Sequence, residues 1–130
     1  MVTLESLVPP DHLLRKIDAV IDFSFIHERI AGLYCPDNGR LALDPVMLFK
    51  ALFIGYLFGI RSERQLVLEI EVNVAYRWFL RMKLTEPVFD APTLSQNQRR
   101  RYKDTSVAQD IFDGIVEPAI SHGLVNGMVL

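Results

Sequence analysis

An apolar run near the middle of the chain restricts what this protein can fold into. The residues VMLFKALFIGYLFGI, from Val46 to Ile60, carry a single charge, at Lys50. The run is 15 residues long, whereas an α-helix needs roughly 20 apolar residues to cross a bilayer. It therefore predicts a helix that the rest of the chain buries on nearly all sides, not a membrane span.

The remainder of the chain is long and apolar enough to surround such a helix. The protein has 130 residues, of which 50% are hydrophobic, as expected for one globular domain. Cys35 is the only cysteine, which excludes a disulfide within the chain and fits a reducing compartment. The N-terminus has no basic start followed by an apolar stretch, as a secretory signal would have. We expect a cytoplasmic protein without membrane contact.

Capping residues divide the first half of the chain into short helices. The side chains placed to cap them are Asp11, Ser24 and Asp44. The helix that Asp11 would cap extends to about Phe23. Pro45 follows Asp44 at the first helical position, which favours the start of the apolar helix there. Gly59 is placed to close that helix.

The second half of the chain continues the pattern. Its capping positions are Ser62 with Gln65, Asn73, Thr93 and Ser106. Pro118 should kink or divide the last helix, which Gly123 ends. The final residues, VNGMVL, indicate a turn and the start of a strand. The sequence thus predicts a compact all-α domain over residues 1–124, with a helix-turn-helix-like part, and a short strand stub within 125–130.

Charge is distributed unevenly along the chain. Residues 61–103 carry nine Lys/Arg and five Asp/Glu, a net charge of +4. Residues 1–60 carry five and seven, a net of −2, and residues 104–130 carry none and four, a net of −4. The overall charge of −2 therefore conceals a cationic middle third, which is the footprint sought in a nucleic-acid-binding protein.

The cationic part centres on TLSQNQRRRYKD, Thr93 to Asp104, here called the basic segment. As a helix at about 100° per residue, it places four polar or cationic side chains on one face, namely Gln96, Arg99, Arg100 and Lys103. Leu94 and Tyr102 lie opposite. Because this apolar seam is narrow, the segment contributes little to a hydrophobic core. Core packing therefore does not explain its stripe of polar and cationic side chains.

The chemistry of this stripe suits DNA. Arginine forms hydrogen bonds with phosphate or guanine, and glutamine forms them with adenine. Hydroxyl groups at a helix start can donate hydrogen bonds to phosphates. Short helices that support one basic helix are the general form of a helix-turn-helix reader. The candidate DNA contacts are Thr93, Ser95, Gln96, Arg99, Arg100, Arg101 and Lys103, with Arg64 and Arg77 from the preceding helices. An arginine-rich helix is equally compatible with a solvated or protein-binding face, and that alternative stays open.

Signals for catalysis or metal binding are absent from the sequence. The three histidines are scattered and share no ligand spacing with Cys35. No glycine-rich phosphate loop and no Ser/His/Asp pattern occurs. Asp18 and Asp22 lie one turn apart on a helix face that we expect to be solvated. Trp78, in YRWFL, has too many large neighbours for an exposed position, so we expect a structural role for it.

Three runs in the same order resemble the N-terminal domain of InsH-like insertion-sequence transposases. They are DHLLRKIDAVIDFSFI, then GRLALDPVMLFKALFIGYLFGIRSERQLVLEIEVNVAYRWFL, then TLSQNQRRRY, and the resemblance covers about Leu7 to Leu124. In that family a catalytic domain of ribonuclease-H-like fold follows, in which Asp, Asp and Glu hold two divalent metals for DNA cleavage and joining.

The resemblance implies a DNA-binding domain that recognises double-stranded DNA at the terminal inverted repeats of the element, for DNA transposition and recombination. No acidic residue of this chain matches a catalytic position. We therefore expect no enzyme activity, no cofactor and no metal in this chain, which reads as truncated before the catalytic domain. DAPT, from Asp90 to Thr93, stands where family members often read like DHST, which puts one polar contact in doubt. The rival hypothesis is an assembly module, in which the helix from Val46 to Phe58 drives homodimerisation and the basic segment binds protein.

Overall fold

In a computed structural model, which describes residues 3–30, 44–94 and 107–124, every regular element in those ranges is an α-helix. The helices are α1 Leu4–Leu7, α2 Leu13–Val20, α3 Phe25–Ile30, α4 Pro45–Leu57, α5 Glu63–Val72, α6 Val74–Phe79 and α7 Val107–Ser121. A further helix begins at 91 and is described through 94. The all-α prediction is confirmed. The predicted cap at Ser106 and the strand stub in 125–130 lie outside the described residues.

Helix α4 forms the centre of the core, as its composition predicts. The Asp44 carboxylate accepts the Val46 N–H at 2.8 Å, and Pro45 occupies the first turn. Its most buried side chains, none more than 2% exposed, are Leu48, Phe49, Ala51, Phe53 and Ile54. Helices α3 and α7 both pack against it. One side of the apolar run is therefore buried in the core, whereas Phe58 at its end is 39% exposed.

Helix α4 ends where the sequence places its stop. Gly59 has a φ of 69°, a left-handed conformation that glycine adopts without steric cost. The Ile60 N–H then donates to the Gly55 carbonyl at 2.9 Å, closing a Schellman turn. Gly59 thus ends α4 and redirects the chain into α5.

A single residue, Asn73, joins α5 to α6. Its side chain accepts the N–H groups of Ala75 and Tyr76, at 2.9 and 3.1 Å, and so caps α6 as predicted. Ser62 caps α5 by accepting the Gln65 N–H at 3.2 Å. The Gln65 side chain bonds to Glu69 instead of returning to the cap, so the predicted capping box is half formed.

The N-terminal boundaries differ from the sequence prediction. His12, not Asp11, caps α2, because its Nδ1 accepts the Leu14 N–H at 3.1 Å. The helix ends at Val20, not near Phe23. Ile21 takes an extended conformation, and both Ile21 and Phe23 are 6% exposed. Leaving the helix allows both side chains to enter the core. The short helix α1, capped by Thr3, was not predicted.

The last helix is not divided by its proline. Helix α7 runs through Pro118 to Ser121 as one element, so of the predicted kink or division the division does not occur. Gly123, with a φ of 72°, ends it as predicted. Gly114 lies where α3 meets α7: a Cβ at this position would stand 3.0 Å from the Phe25 ring. The missing side chain therefore lets the two helices approach.

Candidate nucleic-acid interface

Three of the nine predicted DNA contacts fall in the described part of the chain, namely Thr93, Arg64 and Arg77. The other six lie outside the described residues: Ser95, Gln96, Arg99, Arg100, Arg101 and Lys103. Arg64 is exposed in the first turn of α5, where a partner can reach its guanidinium. Thr93 is half-buried.

Asp90 caps the helix that leads into the basic segment. Its Oδ1 accepts the Thr93 N–H at 2.8 Å, and its carbonyl accepts the Leu94 N–H at 3.1 Å. Hydrogen bonds from the Thr93 side chain and backbone hold the pKa of Asp90 below its ordinary value. The helix thus begins at 91, two residues before the predicted cap at Thr93, because the aspartate is the better-placed acceptor.

The start of the basic segment is also anchored in the core. Leu94 is 0% exposed, which confirms its predicted place on the buried side. Val88 and Phe89, just before the cap, are half-buried and pack against the same core. Two kinds of contact therefore fix the chain where the basic segment begins: a capped helix start and a buried apolar anchor.

Arg77 lies inside the fold and does not present its charge to solvent. It is 6% exposed, and its guanidinium bonds to three backbone carbonyls. Nε donates to the Glu71 carbonyl at 3.1 Å, and Nη1 donates to the carbonyls of Lys83 and Glu86 at 2.9 and 2.8 Å. These acceptors belong to the end of α5 and to the loop after α6.

This position changes the role of Arg77. A side chain committed to three interior carbonyls is not available to a phosphate without breaking those bonds, so its inclusion among the DNA contacts is revised. The loop it holds is itself closed, because the Lys83 N–H donates to the Glu86 carboxylate at 3.0 Å. Arg77 and Glu86 together immobilise the chain a few residues before the basic segment.

Lys50, the one charge in the apolar run, is buried as well. It is 4% exposed, and its ammonium donates to the Phe79 carbonyl at 2.9 Å. Nζ lies 3.7 Å from the Asp18 carboxylate, and 4.7 and 4.8 Å from the ring centroids of Phe23 and Phe79. Burial, and then the charge of Arg81, lower the pKa of Lys50 to about 8, while Asp18 opposes the shift.

Asp18 takes part in this network, which corrects its expected solvated position. Both carboxylate oxygens accept from Arg81, at 3.1 and 2.8 Å, and the Asp18 side chain is 19% exposed. Arg81 has a φ of 63° at the position after α6 where glycine is usual. The long sequence separation of Asp18 and Arg81 hides this pair from pattern analysis.

Trp78 is packed between two arginines. The guanidinium carbons of Arg15 and Arg81 lie 4.6 and 5.3 Å from its ring centroid. Its Nε1 donates to the Glu5 carboxylate at 2.9 Å, and Glu5 also pairs with Arg15. These contacts dock α1 and α2 onto α6, in agreement with the structural role predicted for Trp78.

Four exposed cations in the described ranges take part in no ion pair there: Lys16, Arg61, Arg64 and Lys83. Arg61 precedes the Ser62 cap of α5 and Arg64 lies in its first turn, so both exposed guanidiniums are near the start of that helix. Because no carboxylate among the described residues pairs with them, Arg61 and Arg64 contribute positive charge to the described surface of the middle third.

Two clefts lie beside this framework. One of about 590 Å³ is bordered by Asp18, Asp22, His27, Lys50 and Arg81. Another, of about 410 Å³, lies between α4 and α5 and includes Tyr56, Arg61 and Glu63. The described residues form no group of three or more His, Cys, Asp or Glu side chains that could hold a metal ion. None of the helices described is long and apolar enough to span a membrane.

Comparison with known families gives one match. Residues 2–100 match a family described as a transposase domain (DUF772). The matched range contains helices α1 to α6, the Asp90 cap and the first part of the basic segment. No curated protein and no solved structure matches the chain.

Proposed function

The chain belongs to the transposase domain family DUF772 and thereby has a role related to transposition, and on that basis we propose that it binds DNA. The basic segment is the main contact, and double-stranded DNA at the terminal inverted repeats of a mobile element is the partner. The protein acts in the cytoplasm, as one of the DNA-recognition parts of an insertion-sequence transposase.

The observation that carries this proposal is the concentration of positive charge on a fixed framework. Residues 61–103 have a net charge of +4 in a chain whose total is −2. Arg61 and Arg64 are exposed within this range and take part in none of the ion pairs among described residues. Cations held apart from carboxylates favour a polyanionic partner, since phosphate contacts dominate affinity for DNA.

The framework gives the basic segment a defined starting point. The Asp90 cap and the buried Leu94 hold the first turn of its helix. Immobilising the start of a recognition element reduces the conformational entropy that binding must overcome. A fixed helix start is therefore compatible with a DNA-reading role for the basic segment.

Helix α4 argues against the rival assembly module. That hypothesis needs the apolar side chains of the run from Val46 to Phe58 at a surface. Leu48, Phe53 and Ile54 are each 0% exposed, so dimerisation through them would require the core to open. Among the side chains of this run, only the outer ones, such as Phe58 at 39% exposed, offer apolar surface to a second copy.

We further propose that this chain does not cleave DNA by itself. Two-metal cleavage needs carboxylates from separate elements that hold two ions about 3.5–4 Å apart. Incubation of supercoiled plasmid carrying the element ends with the protein and Mg²⁺ or Mn²⁺ should leave the plasmid intact. Asp110 and Asp113 are exposed carboxylates on α7. Nicking that copurifies with the protein and disappears in Asp110→Asn or Asp113→Asn would contradict this.

The DNA-binding proposal is tested with duplexes containing an end of the element and with scrambled duplexes of equal length. Fluorescence anisotropy across a salt series should show a log–log slope of about −0.9 for each phosphate neutralised. The terminal-repeat duplex should bind more tightly than the scrambled one. Absence of binding to either duplex at low salt would refute the proposal.

A further inference from the structure

Arg77 connects the interior of the domain to the chain just before the basic segment. Its three hydrogen bonds reach Glu71 at the end of α5 and both Lys83 and Glu86 in the following loop. The Glu86 N–H donates to the Lys83 carbonyl at 3.2 Å, and the Glu86 carboxylate accepts the Lys83 N–H. The loop from 83 to 86 is thus a closed turn fixed to one guanidinium.

The turn is followed directly by the elements that start the basic segment. Val88 and Phe89 pack on the core, Asp90 caps the helix, and Leu94 is fully buried. Only three residues lie between Glu86 and Asp90, so a shift of the turn is transmitted to the cap within a short length of chain. The position of Asp90 in turn sets the axis of the helix that begins at 91.

We propose that Arg77 is a positioning residue for DNA binding, which acts by fixing the turn at 83–86 and through it the helix start at Asp90. The inference rests on the proposed function and adds a residue that touches no DNA. Arg77 fixes the stretch of chain that leads to Asp90 and Leu94, the last described point before the basic segment continues.

The chemistry of arginine explains why this residue occupies the site. The planar guanidinium carries five N–H donors in a fixed fork, so it can join carbonyls from two separate stretches of backbone at once. Lysine offers a compact ammonium on a flexible stem and cannot span the same acceptors. Arg77→Lys therefore keeps the charge and loses the bridge, which separates positioning from electrostatics.

The test compares the complete chain with Arg77→Lys and with Arg64→Ala, a control that removes an exposed charge from the framework. Hydrogen exchange is measured at the amides of Glu86, Thr93 and Leu94, with the Leu48 and Phe58 amides of α4 as an internal reference. Affinity for the terminal-repeat duplex and the melting temperature are measured on the same samples.

Arg77→Lys should exchange faster at Glu86, Thr93 and Leu94 while the α4 amides keep their protection. Its affinity for the duplex should fall by about tenfold, which is the scale of one well-placed contact, although the net charge is unchanged. Arg64→Ala should keep the exchange pattern of the parent. Parent-like exchange at the three amides, or faster exchange with parent-like affinity, would overturn the positioning role.

A second variant covers the case in which Arg77→Lys does not fold. Glu86→Ala removes the carboxylate that closes the same turn and leaves Arg77 intact. It should also accelerate exchange at Thr93 and Leu94 and weaken DNA binding, and unchanged affinity with accelerated exchange would overturn the inference. If the parent chain binds no duplex, the proposed DNA-binding function is refuted. If the parent binds and the variants bind equally well, DNA binding stands and only the positioning role of Arg77 is refuted.

Discussion

Two buried cations, Lys50 and Arg77, show how differently this fold uses positive charge. Both side chains are nearly inaccessible, at 4% and 6% exposed. Lys50 has one carbonyl, two aromatic rings and the nearby Asp18 carboxylate around its ammonium. Arg77 bonds to three carbonyls, and none of the ion pairs among described residues includes it.

The difference lies in what each cation holds together. Lys50 connects α4 to the ends of α6 and α2, elements that also share a large apolar core. Arg77 holds a loop whose backbone has few other partners. The single ammonium of Lys50 is sufficient at its site, because apolar packing already holds the helices together. The several N–H donors of the Arg77 guanidinium suit the loop, because hydrogen bonds are needed to hold its backbone in place.

The largest expected effect is a difference in stability loss: replacing Arg77 should lower the free energy of unfolding more than replacing Lys50. Arg77→Met removes three hydrogen bonds to part-buried carbonyls, of which that of Lys83 keeps another donor, the Glu86 N–H, so the loss should be about 2–3 kcal/mol. Lys50→Met leaves one carbonyl and removes a buried charge, so its loss should be about 1 kcal/mol. Urea denaturation monitored by circular dichroism gives both values. Equal losses of free energy of unfolding in the two variants would contradict the proposed difference between Arg77 and Lys50.

Of these two cations, only Lys50 should make the free energy of unfolding depend on pH. Its pKa is about 8 in the folded protein against an ordinary 10.5, so the folded state releases the proton first. Between these values the unfolded chain binds more protons, and the free energy of unfolding rises with pH. Relative to Lys50→Met, the parent should gain about 2 kcal/mol between pH 8 and 10.

The control for this prediction is the pair of Arg77→Met and the parent. Their difference in free energy of unfolding should stay nearly flat over pH 6 to 9, because neither a guanidinium nor a thioether titrates in that range. Denaturation curves at intervals of half a pH unit are sufficient. A parent whose stability follows Lys50→Met in parallel through the whole range would mean that Lys50 does not titrate as its environment requires.

The smallest effect is expected at Arg81, which shares Asp18 with Lys50. Arg81→Gly removes a left-handed non-glycine residue, which gains about 1 kcal/mol, and loses an exposed ion pair worth about 0–1 kcal/mol. The net change should lie within about 1 kcal/mol of zero. The pKa of Lys50 should also be higher in this variant than in the parent, since the charge of Arg81 lowers the pKa of Lys50. A large loss of stability would show that the pair matters more than the backbone strain.

The sequence predicted those features of the fold that arise from neighbouring residues. The caps at Asp44, Ser62 and Asn73, and the stop at Gly59, each depend on side chains within a few positions of one another. Adjacent candidates were harder to separate. Asp11 and His12 can both cap α2, and only the backbone geometry shows that the imidazole accepts the bond.

The role of Arg77 could not be predicted for a different reason. Its spacing indicates a helix face, and arginine is usually exposed, so an outward position was the natural expectation. Its acceptors are backbone carbonyls at the end of α5 and in the following loop. Every residue has a backbone carbonyl, so the amino-acid sequence does not show which ones accept these bonds. The Asp18–Arg81 pair spans 63 positions, and only the tertiary structure brings its members together.

The central claim, that the basic segment binds DNA, is tested most directly by two charge-matched double variants. Arg99→Ala/Arg100→Ala and Lys16→Ala/Lys83→Ala each lose two positive charges, the first from the basic segment and the second from exposed framework positions. Affinity for the terminal-repeat duplex should fall by about 100-fold or more in the first, at roughly 1–3 kcal/mol per contact, and by less than about threefold in the second. Equal losses in the two variants, or parent-like binding by Arg99→Ala/Arg100→Ala, would contradict the account.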